Sequence, residues 1–168
     1  MAPVTIAPID LVIRVAQATL GAGESPPGTN SGPYVERVLK RVGFAKGAPW
    51  CAAWVTDVGA TALGAQWPVK PSASVVAICE WAKDAGCRLV ATKTPAKRGD
   101  LFALWYPKLG RWAHIGLVVS VAADGKTVTT LEGNTSGAGE RDGWLVWSKT
   151  RTLTAKDRLI RWTDAGAA

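Results

Sequence analysis

The stretch Gly47-Ala48-Pro49-Trp50-Cys51-Ala52-Ala53-Trp54-Val55 carries the residue best suited to nucleophilic chemistry. Gly47 and Pro49 punctuate a loop. Ala52, Ala53, Trp54, Val55, Val58, Ala62 and Leu63 then follow at helical spacing until Gly64. The spacing predicts a helix with Cys51 on its first turn. A thiol there lies among backbone N–H groups without intrahelical partners, at the positive end of the helix dipole, and that field favours thiolate, the nucleophilic form. The same N–H groups suit a developing oxyanion. Against this stands the ordinary fate of a cysteine, which is to be packed and inert.

A nucleophile needs a base. The chain has one histidine, His114, at the start of the apolar run Ile115 to Val119. Taken alone it reads as a structural histidine bonded to backbone. One histidine and dispersed cysteines show no zinc-ligand spacing. In the next predicted strand, Glu132 and Asn134 are two apart, which puts both on one face and makes them candidates to orient the base. The competing reading is a solvated strand end before the Ser136-Gly137 turn.

Register decides between them. A two-residue loop at Asp124-Gly125 pairs Ala123 with Lys126 and sets His114 opposite Thr135, on the wrong face. A three-residue loop at Ala123-Asp124-Gly125 pairs Ala122 with Lys126 and sets His114 across from Asn134 and diagonal to Glu132. Gly116 then faces Glu132 and leaves room. One residue of slip flips every side chain. We expect the three-residue loop or an equivalent bulge.

The elements that must hold these residues follow in two blocks. A first helix is predicted from about Pro8 to Leu20, with Ile9, Val12, Ile13, Ala16 and Leu20 inward and Gly21 as its stop. A Pro/Gly-rich loop spans Gly23 to Gly32. Asn30 or Ser31 is expected to cap a second helix, with Pro33 in its first turn, Val35, Val38, Leu39 and Val42 inward, and Gly43 at its end. The Cys51 helix is third. A fourth covers roughly Ser74 to Ala85, with Val75, Ile78, Cys79 and Ala82 inward. After Arg88 the pattern turns to strands: Asp100 to Trp105, Trp112 to Val121, Thr127 to Asn134, Gly143 to Arg151 and Arg158 to Thr163. Helices first and strands later predict an α+β fold with an antiparallel sheet. The segment from Asp164 to Ala168 is expected to fray.

The chain of 168 residues fits one domain, with 48% hydrophobic residues and nine tryptophans, some of which are expected to line a groove. A net charge of +7 suits an anionic partner: nucleic acid, a membrane surface or a bacterial wall. The basic residues are scattered, which fits a broad attractive field better than a nucleic-acid arm. Cys79 and Cys87, in a regular helix, would stand about 12 Å apart, too far for a bridge. Both read as packed thiols, made in a reducing compartment. The N-terminus lacks the basic start of a signal peptide, and no apolar run reaches the ~18 residues of a membrane span, so synthesis in the cytoplasm is expected.

Pro49-Trp50-Cys51-Ala52-Ala53-Trp54-Val55, His114-Ile115-Gly116-Leu117-Val118 and Glu132-Gly133-Asn134 together resemble a CHAP domain, the cysteine, histidine-dependent amidohydrolases/peptidases close to the NlpC/P60 group. Glu24 to Gly32, Gly99-Asp100-Leu101-Phe102 and the order Cys, His, Glu, Asn add to the resemblance. It implies a papain-like fold and cleavage of peptidoglycan, at a peptide bond or at the amide joining peptide to sugar. It implies Cys51 as nucleophile, His114 as base and then acid, and Glu132 and Asn134 as polar partners. Trp50, Trp54 and Asn30 are candidates for the groove wall, with core or cap as the equal alternative. Some phage members carry an Asp-rich calcium loop before the cysteine. Arg41 to Gly47 here has no acidic residue, so no calcium is expected there, and no cofactor elsewhere. The resemblance fits a monomeric phage lysin without a wall-binding repeat, acting at the wall without stable membrane association. The alternatives are a non-catalytic wall-binding or virion structural module of the same fold, and a cationic nucleic-acid binder, for which no recognition motif speaks.

Overall fold

The computed structural model describes residues 6–87, 89–91, 94–137 and 142–165. Four helices come first: α1 (Pro8–Ala18), α2 (Pro33–Arg41), α3 (Cys51–Leu63) and α4 (Val75–Asp84). Six strands follow: β1 (Leu89–Ala91), β2 (Leu101–Tyr106), β3 (Arg111–Val121), β4 (Thr127–Thr135), β5 (Leu145–Thr152) and β6 (Arg158–Ile160). They form one antiparallel sheet in the order β1-β6-β2-β3-β4-β5. The expected α+β arrangement is present. The N-terminal residues 1–5, read for a leader, and the tail 166–168, expected to fray, lie outside the described residues.

Some expected boundaries shift for local reasons. α1 stops at Ala18, because Gly21 takes φ 79° and its N–H donates to the Val146 carbonyl at 3.0 Å, tying the chain to β5. Leu20, expected inward, is 47% exposed. Neither Asn30 nor Ser31 caps α2. Its N-cap is Gly32, whose N–H donates to Glu36 Oε1 at 3.2 Å, so a carboxylate one turn on satisfies the cap N–H in place of a hydroxyl. Ser74 does cap α4, accepting from the Ala77 N–H. β1 was not expected, and β6 ends at Ile160 rather than Thr163. There the chain turns into a 3-10 segment, Trp162–Asp164, as Arg161 reaches Asp100 at 2.8 and 2.9 Å and Trp162 Nε1 donates to the Gly99 carbonyl at 2.7 Å.

α3 is apolar on nearly every side, and it occupies the centre of the helical layer. All of its residues from Cys51 to Gly59 are buried. Asp57, the carboxylate among them, is paired by Arg37 and Arg41 of α2 at 2.9 and 2.8 Å, which offsets the cost of burying it. Leu101, Ala103, Ile115, Leu117, Leu131 and Ile160 of the sheet join the helices in the main core. Their alternates Phe102, Val118, Val128 and Leu159 form a smaller cluster of their own. Strand alternation therefore divides β3 and β4 between two environments. His114 and Glu132 alternate with the main-core residues.

The β3–β4 register reaches the required alignment by a route other than the three-residue loop. Ala122 N–H donates to the Thr127 carbonyl, so four residues form the loop. Val121 pairs with Val128 and Ser120 with Thr129, the register that by itself would face His114 toward Thr135. A bulge at Val119 then shifts the pairing to Val118 with Thr130 and Leu117 with Leu131. One extra residue in the strand restores His114 to the side of Glu132. The bulge matters more than the turn.

Candidate active site

Cys51 is the first residue of α3, and no side chain caps that helix. The first backbone bond of the helix runs from Trp54 N–H to the Trp50 carbonyl, which leaves the N–H groups of Cys51, Ala52 and Ala53 without intrahelical acceptors. Trp50 and Trp54, candidates for the groove wall in the sequence, are both fully buried. They are pillars, not wall. Trp50 Nε1 donates to Glu24 Oε1 at 3.0 Å and Trp54 Nε1 donates to Thr19 Oγ1 at 3.1 Å. Each large indole is apolar on its body and satisfied at its tip, the usual terms for burying one. Glu24 also accepts the Thr29 N–H at 2.8 Å, so it ties the 24–32 loop to the residue before Cys51.

Asn30 lies on that same loop with φ 48°, and its carbonyl accepts the Gly47 N–H at 2.8 Å. Its backbone thus braces the approach to Cys51, while its side-chain Oδ1 is buried and has no hydrogen-bond partner among the described residues.

On the sheet, His114 and Glu132 are both fully buried, and their Nε2 and Oε2 lie 2.7 Å apart. Glu132 also accepts from Thr130 Oγ1 at 2.6 Å and from Arg151 through Nε and Nη2, both at 2.6 Å. Burial is the largest influence on this carboxyl and pushes its pKa up. The Arg151 fork, then His114, outweigh it and hold Glu132 at about 2. Glu132 is therefore an acceptor, and Nε2 carries the proton it accepts. Of the two polar neighbours, Glu132 and not Asn134 hydrogen-bonds the ring.

The same balance acts on the imidazole. Burial, again the largest influence, pulls its pKa down, but Cys51 and Glu132 together raise it to about 9. With Nε2 occupied, Nδ1 is the open edge; it has no hydrogen-bond partner among the described residues, so the sulfur acts on the ring by proximity. Such contacts are often loose without substrate.

Asn134 departs from the expected strand geometry. It takes φ 57°, and the β4–β5 pairing slips between Glu132 and Thr135. It is buried, yet both ends of its carboxamide lack partners among the described residues. It does not touch the histidine through a hydrogen bond. Between it and Glu132, Gly133 lets α3 lie close, since a Cβ there would come within 2.6 Å of Trp54. Gly116 similarly makes room for the acid: a Cβ would meet Phe102 at 2.7 Å and Glu132 Cγ at 2.9 Å. We expect Gly116→Ala to displace Glu132 and cost about 1–3 kcal/mol, read as a lower melting temperature together with a loss of activity.

Sequence reasoning missed Arg151 and Thr130. Arg151 stands among alternating polar residues of β5, where nothing marks one arginine as buried. Its signal was parity, since Glu132 pairs with Trp147 and the residue four further along shares that face.

A groove of about 180 Å³ opens at Cys51, lined by Phe44, Ala48, Pro49, Ala73, Ser74, Val75, Arg111 and Ala113. A larger depression of about 520 Å³ along α1 includes Asp10 and Arg98, an exposed ion pair, and no nucleophile. Cys79 and Cys87 are buried free thiols away from this groove, and burial pushes the Cys79 thiol up to about 12. Among the described residues no cluster of three or more His, Cys, Asp or Glu is placed to hold a metal.

A thiol at an uncapped helix start, an imidazole charged by its neighbours and a carboxylate fixed behind it can support acyl transfer. The family model of the CHAP domain matches residues 43–134, from the loop before Cys51 through Asn134. No curated protein and no solved structure matches the chain. The match spans more than half of the 168 residues and takes in Cys51, His114 and Glu132, so this α+β chain belongs to the CHAP domain family of cysteine- and histidine-dependent amidohydrolases and peptidases.

Proposed function

We propose that this chain is a peptidoglycan hydrolase that cuts an amide of the bacterial wall by a thiol mechanism, with Cys51 as nucleophile, His114 as base and acid, and Glu132 as the orienting carboxylate. The observation that carries the reading is a fully buried histidine whose Nε2 is fixed by Glu132 at 2.7 Å, together with Cys51 on the first turn of α3 and in the lining of the groove. The thiol proton rests on His114 as a thiolate–imidazolium pair before substrate arrives, and the sulfur attacks the amide carbonyl. The unbonded N–H groups of the first turn of α3 receive the oxyanion. His114 then protonates the leaving amine, the C–N bond breaks, and water attacks the thioester with His114 again as base. Asn134 is a buried polar neighbour on the same strand as Glu132, and the Asn30 backbone braces the loop that leads to Cys51.

The domain acts in this reading as a single catalytic unit, without cofactor, as a monomer. The net charge of +7 supports attraction to an anionic wall and a lytic role of the endolysin type. Among the described residues no helix is long and apolar enough to cross a membrane. Digestion of purified peptidoglycan followed by mass spectrometry of the fragments tests the proposal. New amines at one class of bond are expected. Binding to walls without any bond broken would favour the non-catalytic module.

The pH profile gives a further test. The mechanism needs His114 protonated when the amine leaves, so kcat/KM is expected to fall as pH rises through about 9. Glu132→Gln removes one of the two groups that raise the ring, and the alkaline limb is expected to move to lower pH. The sign for stability is the same. A pKa raised above its ordinary 6.5 stabilises the fold fully below that value, and the contribution is lost as pH rises through about 9.

A further inference from the structure

We propose that Arg111 forms a carboxylate-binding subsite in the Cys51 groove, and that the preferred substrate carries a free carboxylate on the residue flanking the amide that is cut. This rests on the hydrolase reading above and narrows its substrate.

Among the residues that line the groove Arg111 alone is charged, and the walls beside it, Phe44, Pro49, Ala73 and Val75, are apolar. The Ser74 hydroxyl is already engaged as the cap of α4. Arg111 is exposed and has no carboxylate partner among the described residues. By contrast, Arg37 and Arg41 share Asp57, Arg98 holds Asp10, Arg151 holds Glu132 and Arg161 holds Asp100. A guanidinium left free at the mouth of an apolar slot supplies a strong attraction for one kind of group, since its fork matches the two oxygens of a carboxylate.

Its place on the strand fits the reaction. Arg111 begins β3 opposite Tyr106, and His114 stands three positions further along the strand. At about 3.3 Å per residue the two backbones stand about 10 Å apart. A carboxylate on the flanking residue and the length of the arginine side chain together cover such a gap. The β2–β3 pairing slips between Leu104 and Trp105, so that Leu104 meets His114 while Trp105 meets Trp112. That bulge falls at Ala113, between the base and Arg111, and both Ala113 and Arg111 line the groove. Wall peptides occur with carboxylates free or converted to amides, so such a subsite would distinguish one wall from another.

The test uses two synthetic wall peptides that differ only in whether the carboxylate beside the scissile bond is free or is a carboxamide. The quantity read is the ratio of kcat/KM, acid over amide, within each variant; being internal, it is insensitive to how much protein is folded. The parent is expected to favour the acid about ten- to a hundredfold, the range of a charged hydrogen-bonded pair. Arg111→Gln is expected to bring the ratio near one, and Arg111→Lys to leave it between, because an ammonium lacks the fork. A parent ratio near one, or a preference that survives in Arg111→Gln, overturns the subsite while leaving the hydrolase intact. Cleavage of neither peptide nor of purified walls by the parent overturns both readings.

Discussion

Cys51→Ala is expected to lower the rate of amine release from purified walls by at least about 10⁴-fold, and His114→Ala to do the same. Together the two changes should cost little more than either alone, because the residues act as a unit. The fold should survive the first change. Cys51 is 3% exposed at a helix start, and loss of one sulfur there costs about 1 kcal/mol. In a chain of this size that lowers the melting temperature by about 2–4 °C. Activity and stability thus separate cleanly for Cys51. A Cys51→Ala or His114→Ala protein that clears a wall suspension at the parental rate would remove both residues from the mechanism.

The second large effect is expected at Arg151. Glu132 is fully buried and bears a negative charge because the Arg151 fork and His114 face it. Arg151→Met leaves that charge with a weaker surround, and breaking a buried pair from one side costs about 3–5 kcal/mol. The melting temperature is expected to fall by about 6–20 °C, measured by calorimetry at pH 7. Activity should fall with it, since a Glu132 carboxylate without the Arg151 fork no longer holds the ring in a fixed position. Adding Glu132→Gln to Arg151→Met removes the orphaned charge, so the double variant should regain much of the lost stability while staying poorly active. If Arg151→Met melts within a degree or two of the parent, Glu132 is not held as described. Recovery of stability without activity would show that the ion pair serves the imidazole rather than the fold.

The large pieces were legible because each rests on a short-range rule. Helical spacing after Pro49 placed Cys51 on a first turn, and the inward set of α4, Val75, Ile78, Cys79 and Ala82, follows from the same kind of pattern. The requirement that His114 face Glu132 was also legible, as a condition on register. What stayed hidden depends on distant groups. The bulge at Val119 has no local signature in a run of β-branched residues. The burial of Trp50 and Trp54 depends on Glu24 and Thr19, 26 and 35 residues away, which satisfy their indole N–H groups. Arg151 is recognisable only once β5 is known to pair with β4. Asn134 was expected on the face of Glu132 because two-residue alternation was assumed to run past Glu132, where the chain instead goes left-handed within β4.

β6 sits between β1 and β2, although β1 and β2 are close neighbours along the chain. While the protein is being made, the ribosome therefore delivers both of those strands long before the one that joins them. Until residues 158–160 emerge, the edge of β2 stands bare, an invitation to stray pairing with other nascent chains. A chain stalled short of that point would be a client for chaperones, not an early form of the finished molecule.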